Sequence, residues 1–450
     1  MLSRSRPGEI SSQLPRHPPL LPEPFAVIWD DFQRLILPGI THWNHPGFFA
    51  YFGTTGSGPG ILGELLTAAL NVNAMLWRTS PAATELEEVT LDWLRQLLGL
   101  PEQFDAVIMD TASVASLIAI AAAREAVAGL EVRVRGLAAR ADAPRLRAYT
   151  SDQTHSSVEK GAIVLGIGQE NVIKIPSDDQ FRLDPKLLEA AVRRDLEAGY
   201  RPFFVCATVG TTSTTSIDPV EAIGEIARRY GLWLHVDGAY GGVAAILPQR
   251  REVLSGAEQA DSIVVNPHKW LFTPIDLSVF YTRHPEILKR AFRLIPEYLR
   301  SAETDRHEVK DFMDYGIQLG RRFRALKLWM VMRYFGADGL AARIGEHIRL
   351  AEQLAAWIDQ ADNFERLAPV PLSTVCFRAH PAGIDDEAAL ERLNSALLEA
   401  VNAGGEIFLS HTKLREHYTL RLAIGNIRSQ QQHVARAWEL LQTEAARLLS

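Results

Sequence analysis

WLHVDGAYGGVAAILPQRREVLSGAEQADSIVVNPHKWL, residues 233–271, holds two short apolar runs that each break off in small and polar residues. It opens with the apolar run WLHV, and SIVV follows at 262–265. Each run is too short for a helix and reads as a buried strand. Each ends abruptly in small and polar residues: Asp237-Gly238-Ala239 after the first, Asn266-Pro267-His268-Lys269 after the second. Working toward the N-terminus, similar runs recur as FFVCATV (203–209), VIKI (172–175), RAYT (147–150) and AVIM (106–109). Helical patterns separate them. SLIAIAAAREAVAG (116–129) follows AVIM, and a helix capped by Asp184, with Pro185 in its first position and Gly199 closing it, precedes FFVCATV. ATELEEVTLDWLRQLLG (83–99) is an earlier helix that ends on a glycine. Strands alternating with helices predict an α/β domain built on a mostly parallel sheet.

The flanks read differently. Six prolines in residues 1–24 favour an extended arm, and THWNHPGFFAYFGTTGSGPG (41–60) is an aromatic, glycine-rich segment that must wrap on something larger. Beyond a helix-rich stretch from about Gly320 to Asp359 come STVCFRA (373–379), a helix around Glu387–Ala403, EIFLSHT (406–412), YTLRLAI (418–424) and a last helix. The expected division is an N-terminal arm and pocket segment at 1–79, a large domain at 80–340 and a small α+β domain at 341–450.

Composition narrows the function. A net charge of −7 over 450 residues argues against a nucleic-acid partner. The apolar stretch Ala115–Leu130 is interrupted by Arg124 and Glu125 and is short for a bilayer span, so no membrane segment is expected. Two cysteines, Cys206 and Cys376, supply neither a disulfide framework nor a zinc spacing, which leaves no expected metal and favours a reducing, cytoplasmic setting.

The strand ends carry the chemistry, as functional groups collect there in open α/β sheets. Lys269 lies between His268 and Trp270 and is followed by Leu271 and Phe272. A lysine that attacks an aldehyde needs such an apolar enclosure to be neutral. Asp237 follows an apolar strand and is placed to hold the ring nitrogen of pyridoxal 5′-phosphate (PLP) protonated. Asp110-Thr111-Ala112-Ser113, between AVIM and its helix, offers helix N-terminal amides to a phosphate. Asp110 must then point away, since a carboxylate would repel that group.

SDQTHSSVEKG (151–161), HVDGAYGG (235–242), NPHKWL (266–271) and LGRRFRALKLW (319–329) resemble the group II PLP-dependent decarboxylases, in the branch of aromatic-L-amino-acid decarboxylase and the related aromatic aldehyde synthases. The likeness runs from about residue 15 to the C-terminus. It implies the fold type I, PLP-dependent transferase-like architecture: a large domain, a small C-terminal domain and an N-terminal arm. It implies that Lys269 carries PLP, that Asp237 pairs with the ring nitrogen, that His155 stacks on one ring face and that Ala239 packs beneath the other. It implies that Thr208 and His268 lie near cofactor and substrate, that Ala112, Ser113 and Asn266 hold the phosphate, and that Gly320 is a contact supplied by a partner subunit. Trp43, Tyr51, Phe52 and Thr54 match the substrate pocket, with Asn73 and Met75 donated across the interface of a homodimer with shared active sites. The implied reaction is decarboxylation of an aromatic amino acid of the Phe, Tyr, Trp or Dopa class to its amine.

One departure bears on the product. The branch carries a catalytic loop tyrosine about eight residues before the motif glycine, where this chain has Phe312. In plant and insect relatives a phenylalanine accompanies oxidative deamination to the aldehyde, with ammonia and hydrogen peroxide. Tyr315 is the alternative proton donor if the register differs.

Overall fold

The computed structural model describes residues 2–294 and 309–450. The large domain is a seven-stranded sheet. Its strands are β1 (Asp105–Met109), β2 (Leu146–Ser151), β3 (Val172–Ile175), β4 (Arg201–Thr208), β5 (Trp233–Asp237), β6 (Ser262–Val265) and β7 (Ser278–Thr282). Their order is β1-β7-β6-β5-β4-β2-β3. Every strand but β7 runs parallel to the rest; β7 pairs antiparallel with both β1 and β6. β5, β6 and β7 are buried at every position, as expected for a sheet covered on both faces.

SVFYT (278–282) is a strand beyond those read from the sequence. It follows β6 after a short connection without a full crossover helix, and such a return forces the antiparallel direction. The expected cap at Asp184 forms: its side chain accepts the Lys186 and Leu187 N–H groups at 2.8 and 3.3 Å. Gly99 and Gly199 close their helices with φ of 71° and 76°.

The small domain is a four-stranded antiparallel sheet of β8 (Phe364–Arg366), β9 (Thr374–Ala379), β10 (Ser410–Leu414) and β11 (His417–Ala423), ordered β10-β11-β9-β8. Helices Glu387–Gly404 and Gln431–Leu449 complete its core. EIFLSHT enters the sheet only at Ser410, because Phe408 is paired instead with the N-terminal segment. The Phe49 N–H donates to the Phe408 carbonyl at 2.9 Å, and the Ala423 N–H to the Phe49 carbonyl at 2.8 Å. The aromatic segment is thus sewn to the small domain. Two short helices, Glu9–Gln13 and Phe25–Asp31, interrupt the arm where prolines flank rather than occupy the sequence. The boundary expected between 340 and 341 falls inside the helix Ala325–Asp359, whose one non-helical residue is Gly336. Among the described residues no helix is long and apolar enough to cross a membrane.

Candidate active site

The carboxyl ends of the parallel strands open into a cavity of about 390 Å³. Thr208 ends β4, Asp237 ends β5 and Asn266 follows β6, so sheet register alone brings these three side chains to one rim. The loops leaving β4 and β5 touch. A Cβ on Gly210 (φ 89°) would lie 2.8 Å from the Gly241 nitrogen, so glycine is required for both the conformation and the approach.

Lys269 reaches the cavity from the one-turn helix Pro267–Trp270. Its amine lies 5.2 Å from the centre of the Phe52 ring and forms no ion pair among the described residues. Burial lowers its pKa, against the opposing charge of Asp237. That environment favours the neutral, nucleophilic amine. Asp237 is buried, and its Oδ1 accepts the Ala239 N–H at 3.0 Å, which fixes the carboxylate.

Two histidines present the same edge inward. His155 Nδ1 accepts the Ser157 backbone N–H at 3.1 Å, and His268 Nδ1 accepts the Leu277 N–H at 3.0 Å. With Nδ1 the acceptor, the proton belongs on Nε2 in each neutral ring. Desolvation and then the Lys269 charge push the His155 pKa down; the same two causes take His268 to about 4. Both are neutral donors at pH 7.

At the opposite rim the helix Ala112–Ala126 begins with no side-chain cap on its first amides, and Thr111, Ala112 and Ser113 line the cavity there. Asn266 Oδ1 accepts the Ser278 hydroxyl at 2.7 Å, leaving its amide nitrogen as the group offered to a ligand. Asp110 does not line the cavity; it pairs with Arg324 at 3.1 Å, which removes the repulsion a phosphate would meet. A neutral amine, a fixed buried carboxylate and an open helix N-terminus suit the aldehyde, the ring nitrogen and the phosphate of PLP. The residues present fit the group.

Tyr240, Ser213, His411, Thr412 and Arg421 line the cavity without having been anticipated. Phe52 stacks on Tyr240 at 3.8 Å, Tyr240 on Trp270 at 4.7 Å, and the Trp270 Nε1–H donates to His347 Nδ1 at 2.9 Å. This ladder backs the lysine with rigid rings. Arg421, Ser213, His411 and Thr412 form a polar wall contributed mainly by the small domain. Asp218 accepts the Thr208 N–H at 2.7 Å and the Leu183 N–H at 2.7 Å from beneath; burial pushes its pKa up to about 7. Only Asp218 had a local sign, an acid just before Pro219 and a helix, and that sign is too common to single it out.

Of the expected pocket residues, Tyr51 and Phe52 line the cavity. Trp43 stands behind, stacked on Tyr51 at 5.8 Å, and Thr54 lies outside. Asn73, Met75 and Gly320 gather elsewhere. Asn73 Oδ1 accepts the Arg321 N–H at 2.9 Å, the Met313 N–H donates to the Met75 carbonyl, and none of the three lines the cavity of its own chain. Phe312 and Tyr315 lie away from the cavity lining. Both are buried in the large-domain core, with the Tyr315 hydroxyl donating to Asp105 at 3.0 Å. Neither side chain lines the cavity of its own chain.

A family model described as the pyridoxal-dependent decarboxylase conserved domain matches residues 7–380. A phenylacetaldehyde synthase of Arabidopsis thaliana is 43% identical, with 100% of this chain and 92% of that protein covered. A crystal structure of Oryza sativa TDC with PLP and tryptamine superposes with a TM-score of 0.96 at 37% identity, over 100% of this chain and 93% of that one. A second, of Catharanthus roseus tryptophan decarboxylase in complex with L-tryptophan, gives 0.92 at 39% identity, over 99% and 93% of the two chains.

Proposed function

Because the chain belongs to the pyridoxal-dependent decarboxylase family, we propose that it removes the α-carboxylate of an aromatic L-amino acid of the Phe, Tyr, Trp or Dopa class, giving CO₂ and the amine. That it is a PLP-dependent carboxy-lyase is the premise; the aromatic substrate is the proposal. The observation that carries it is the wall of Tyr51, Phe52 and Tyr240 directly beside Lys269, which suits an aromatic ring by stacking and apolar burial.

Bound PLP supplies a protonated pyridine ring that accepts the electron pair of the breaking Cα–carboxylate bond. The chain's own residues prepare for that event. Lys269, its pKa lowered by burial, would hold the cofactor through its aldehyde carbon. Asp237 would hold the proton on the ring nitrogen, and its bond from the Ala239 N–H keeps the carboxylate from turning away. Ala239, a small residue lining the cavity, would leave room for the ring. His155 and His268 offer Nε2–H donors to oxygen atoms at the reacting end without adding charge. The Phe52–Tyr240–Trp270 ladder excludes water from one side, which strengthens each of these interactions.

A second reading, oxidative deamination to the aldehyde with ammonia and hydrogen peroxide, is kept because the Arabidopsis relative is named a phenylacetaldehyde synthase. A homodimer with shared sites is part of the proposal. Exposed Ile61, Leu62, Leu65, Leu66 and Leu70 on the helix Gly58–Leu70 support it, as do Asn73, Met75 and Gly320, which gather away from their own cavity. Two buried free cysteines suit a reducing, cytoplasmic setting.

The test is a product screen on the holoenzyme with each aromatic amino acid, scoring CO₂, amine, aldehyde and peroxide together. Amine and CO₂ in equal amounts are expected, and Lys269→Ala should lower turnover at least about a thousandfold. No turnover of any aromatic amino acid refutes the substrate class. Aldehyde with matching peroxide replaces the first reading by the second.

A further inference from the structure

One histidine of the HVDGAYGG motif stands outside the cavity lining. His235 is the third residue of β5 and is 0% exposed. Its ring lies between Phe204 on β4 and Phe280 on β7, with centres 6.1 and 6.2 Å away and both planes inclined by 26°. Polar contact is made at one nitrogen only. The Ser262 hydroxyl accepts the Trp233 Nε1–H at 2.9 Å and lies 2.9 Å from His235 Nδ1. An indole nitrogen can only donate, so the serine's own hydrogen is directed to Nδ1 and the ring proton sits on Nε2.

That Nε2 is buried and has no hydrogen-bond partner among the described residues. A buried N–H without an acceptor is destabilising, and a phenylalanine would fill the space between two rings without that penalty. Asp237 is the one charged group among the described residues that acts on this imidazole. It stands two positions further along the same strand, and alternation across a strand puts both side chains on one face of the sheet. Two positions span about 7 Å, which an imidazole, a carboxylate and one hydrogen bond fill.

The carboxylate has room for such a donor. An ionised carboxyl offers about four acceptor positions, and among the described residues the Ala239 N–H takes one of them. Lys269, the cation that acts on Asp237, is the residue that would hold the cofactor, so its charge is not a lasting partner. Burial favours a neutral acid, and hydrogen bonds to the anion oppose that. We propose that His235 is a positioning residue for the cofactor: its Nε2–H is the donor that keeps the Asp237 carboxylate ionised and aimed at the ring nitrogen of PLP. Burial pushes the His235 pKa down to about 4, so the imidazole donates at pH 7 without a positive charge that would compete with the ring's own. Trp233 and Ser262 set which nitrogen carries the proton.

The experiment measures binding of two cofactors to the full-length apoprotein: PLP and 1-deaza-pyridoxal 5′-phosphate, in which C–H replaces the ring nitrogen. Both keep the aldehyde and the phosphate, and only the first can use Asp237. The wild type should bind PLP at least about tenfold more tightly, the value of one hydrogen bond to a charged group. His235→Asn keeps an acceptor for Ser262 and loses the Nε2–H. Its preference for PLP should fall at least about threefold, with the deaza constant held within about twofold. His235→Gln, whose amide nitrogen can stand where Nε2 does, should restore most of the preference. An asparagine variant that keeps the wild-type preference overturns the proposal. Equal weakening of both cofactors also overturns it, making His235 a packing residue. So does a wild type without the preference, because Asp237 would then not meet the ring nitrogen. Should neither variant fold, ¹⁵N-histidine NMR of the wild-type holoenzyme decides: the proton is expected on Nε2 of His235, and a proton on Nδ1 removes the donor.

Discussion

The Phe312 ring lies 4.8 Å beneath the Arg321 guanidinium and is 2% exposed, so its chemistry is that of a core residue. Phe312→Tyr should leave the amine-to-aldehyde ratio unchanged, because the added hydroxyl cannot reach substrate. It should instead destabilise the fold by about 1–3 kcal/mol, from overpacking and a poorly satisfied hydroxyl. Product ratios and denaturant midpoints of the two proteins check this; a ratio shifted toward amine would restore Phe312 to the reaction. Its burial was not legible in the sequence, because counting back from a motif glycine measures only distance along the chain. Lys269, Asp237 and Asn266 were legible for the opposite reason: each stands within a few residues of a strand end, where sheet geometry dictates position. Arg421 was not. YTLRLAI reads as one more strand, and what commits the arginine is Ser213 and Tyr51, at separations of 208 and 370 residues.

Elements are tied together at a buried ion pair. Arg321 Nη2 meets Glu87 Oε1 at 2.6 Å and the Ile108 carbonyl at 3.0 Å, and Glu87 Oε1 also accepts the Ile108 N–H at 2.9 Å. Through Nη1 and its backbone N–H the same arginine holds Ala74 and Asn73. One side chain thereby fixes the helix Pro81–Leu98, β1 and the turn at Gly320 relative to one another. Arg321→Met leaves buried Glu87 without its counter-ion and should lower stability by about 3–5 kcal/mol, whereas Glu87→Met with Arg321→Met should recover most of it. Urea unfolding of the three proteins decides; a single variant as stable as the double would mean the pair contributes no net interaction. At this scale the strands were readable wherever an apolar run was flanked by helical periodicity. β7 and β8 escaped, the first because a return strand lacks its own crossover helix and the second because three residues give no pattern. One helical pattern runs from Ala325 to Asp359, and only the positive φ of Gly336 marks where its direction changes.

At the scale of the whole molecule, a single chain leaves two features unexplained. The helix Gly58–Leu70 turns Glu64 toward Lys327, at 2.8 Å, while Ile61, Leu62, Leu65 and Leu66 stay exposed. Asn73, Met75 and Gly320 gather around Arg321 and contribute nothing to their own cavity. A two-fold dimer would resolve both if the apolar face is the contact and the cluster completes the neighbour's site, since a residue donated outward in one subunit is received in the other. Subunit mixing tests this directly. Lys269→Ala and Gly320→Trp homodimers should each be nearly inactive, the first without its amine and the second with a blocked contribution to its neighbour. In a hybrid, one site carries both defects and the other carries neither. Random mixing makes half the dimers hybrids with one sound site each, so activity should return to about a quarter of the wild-type value. If Gly320 instead serves its own subunit, every site in the mixture contains one defect and mixing restores nothing. Co-expression with separable tags, followed by assay of the doubly tagged fraction, distinguishes the two: recovered turnover places the two residues of a working site on different chains, and its absence removes the shared-site reading.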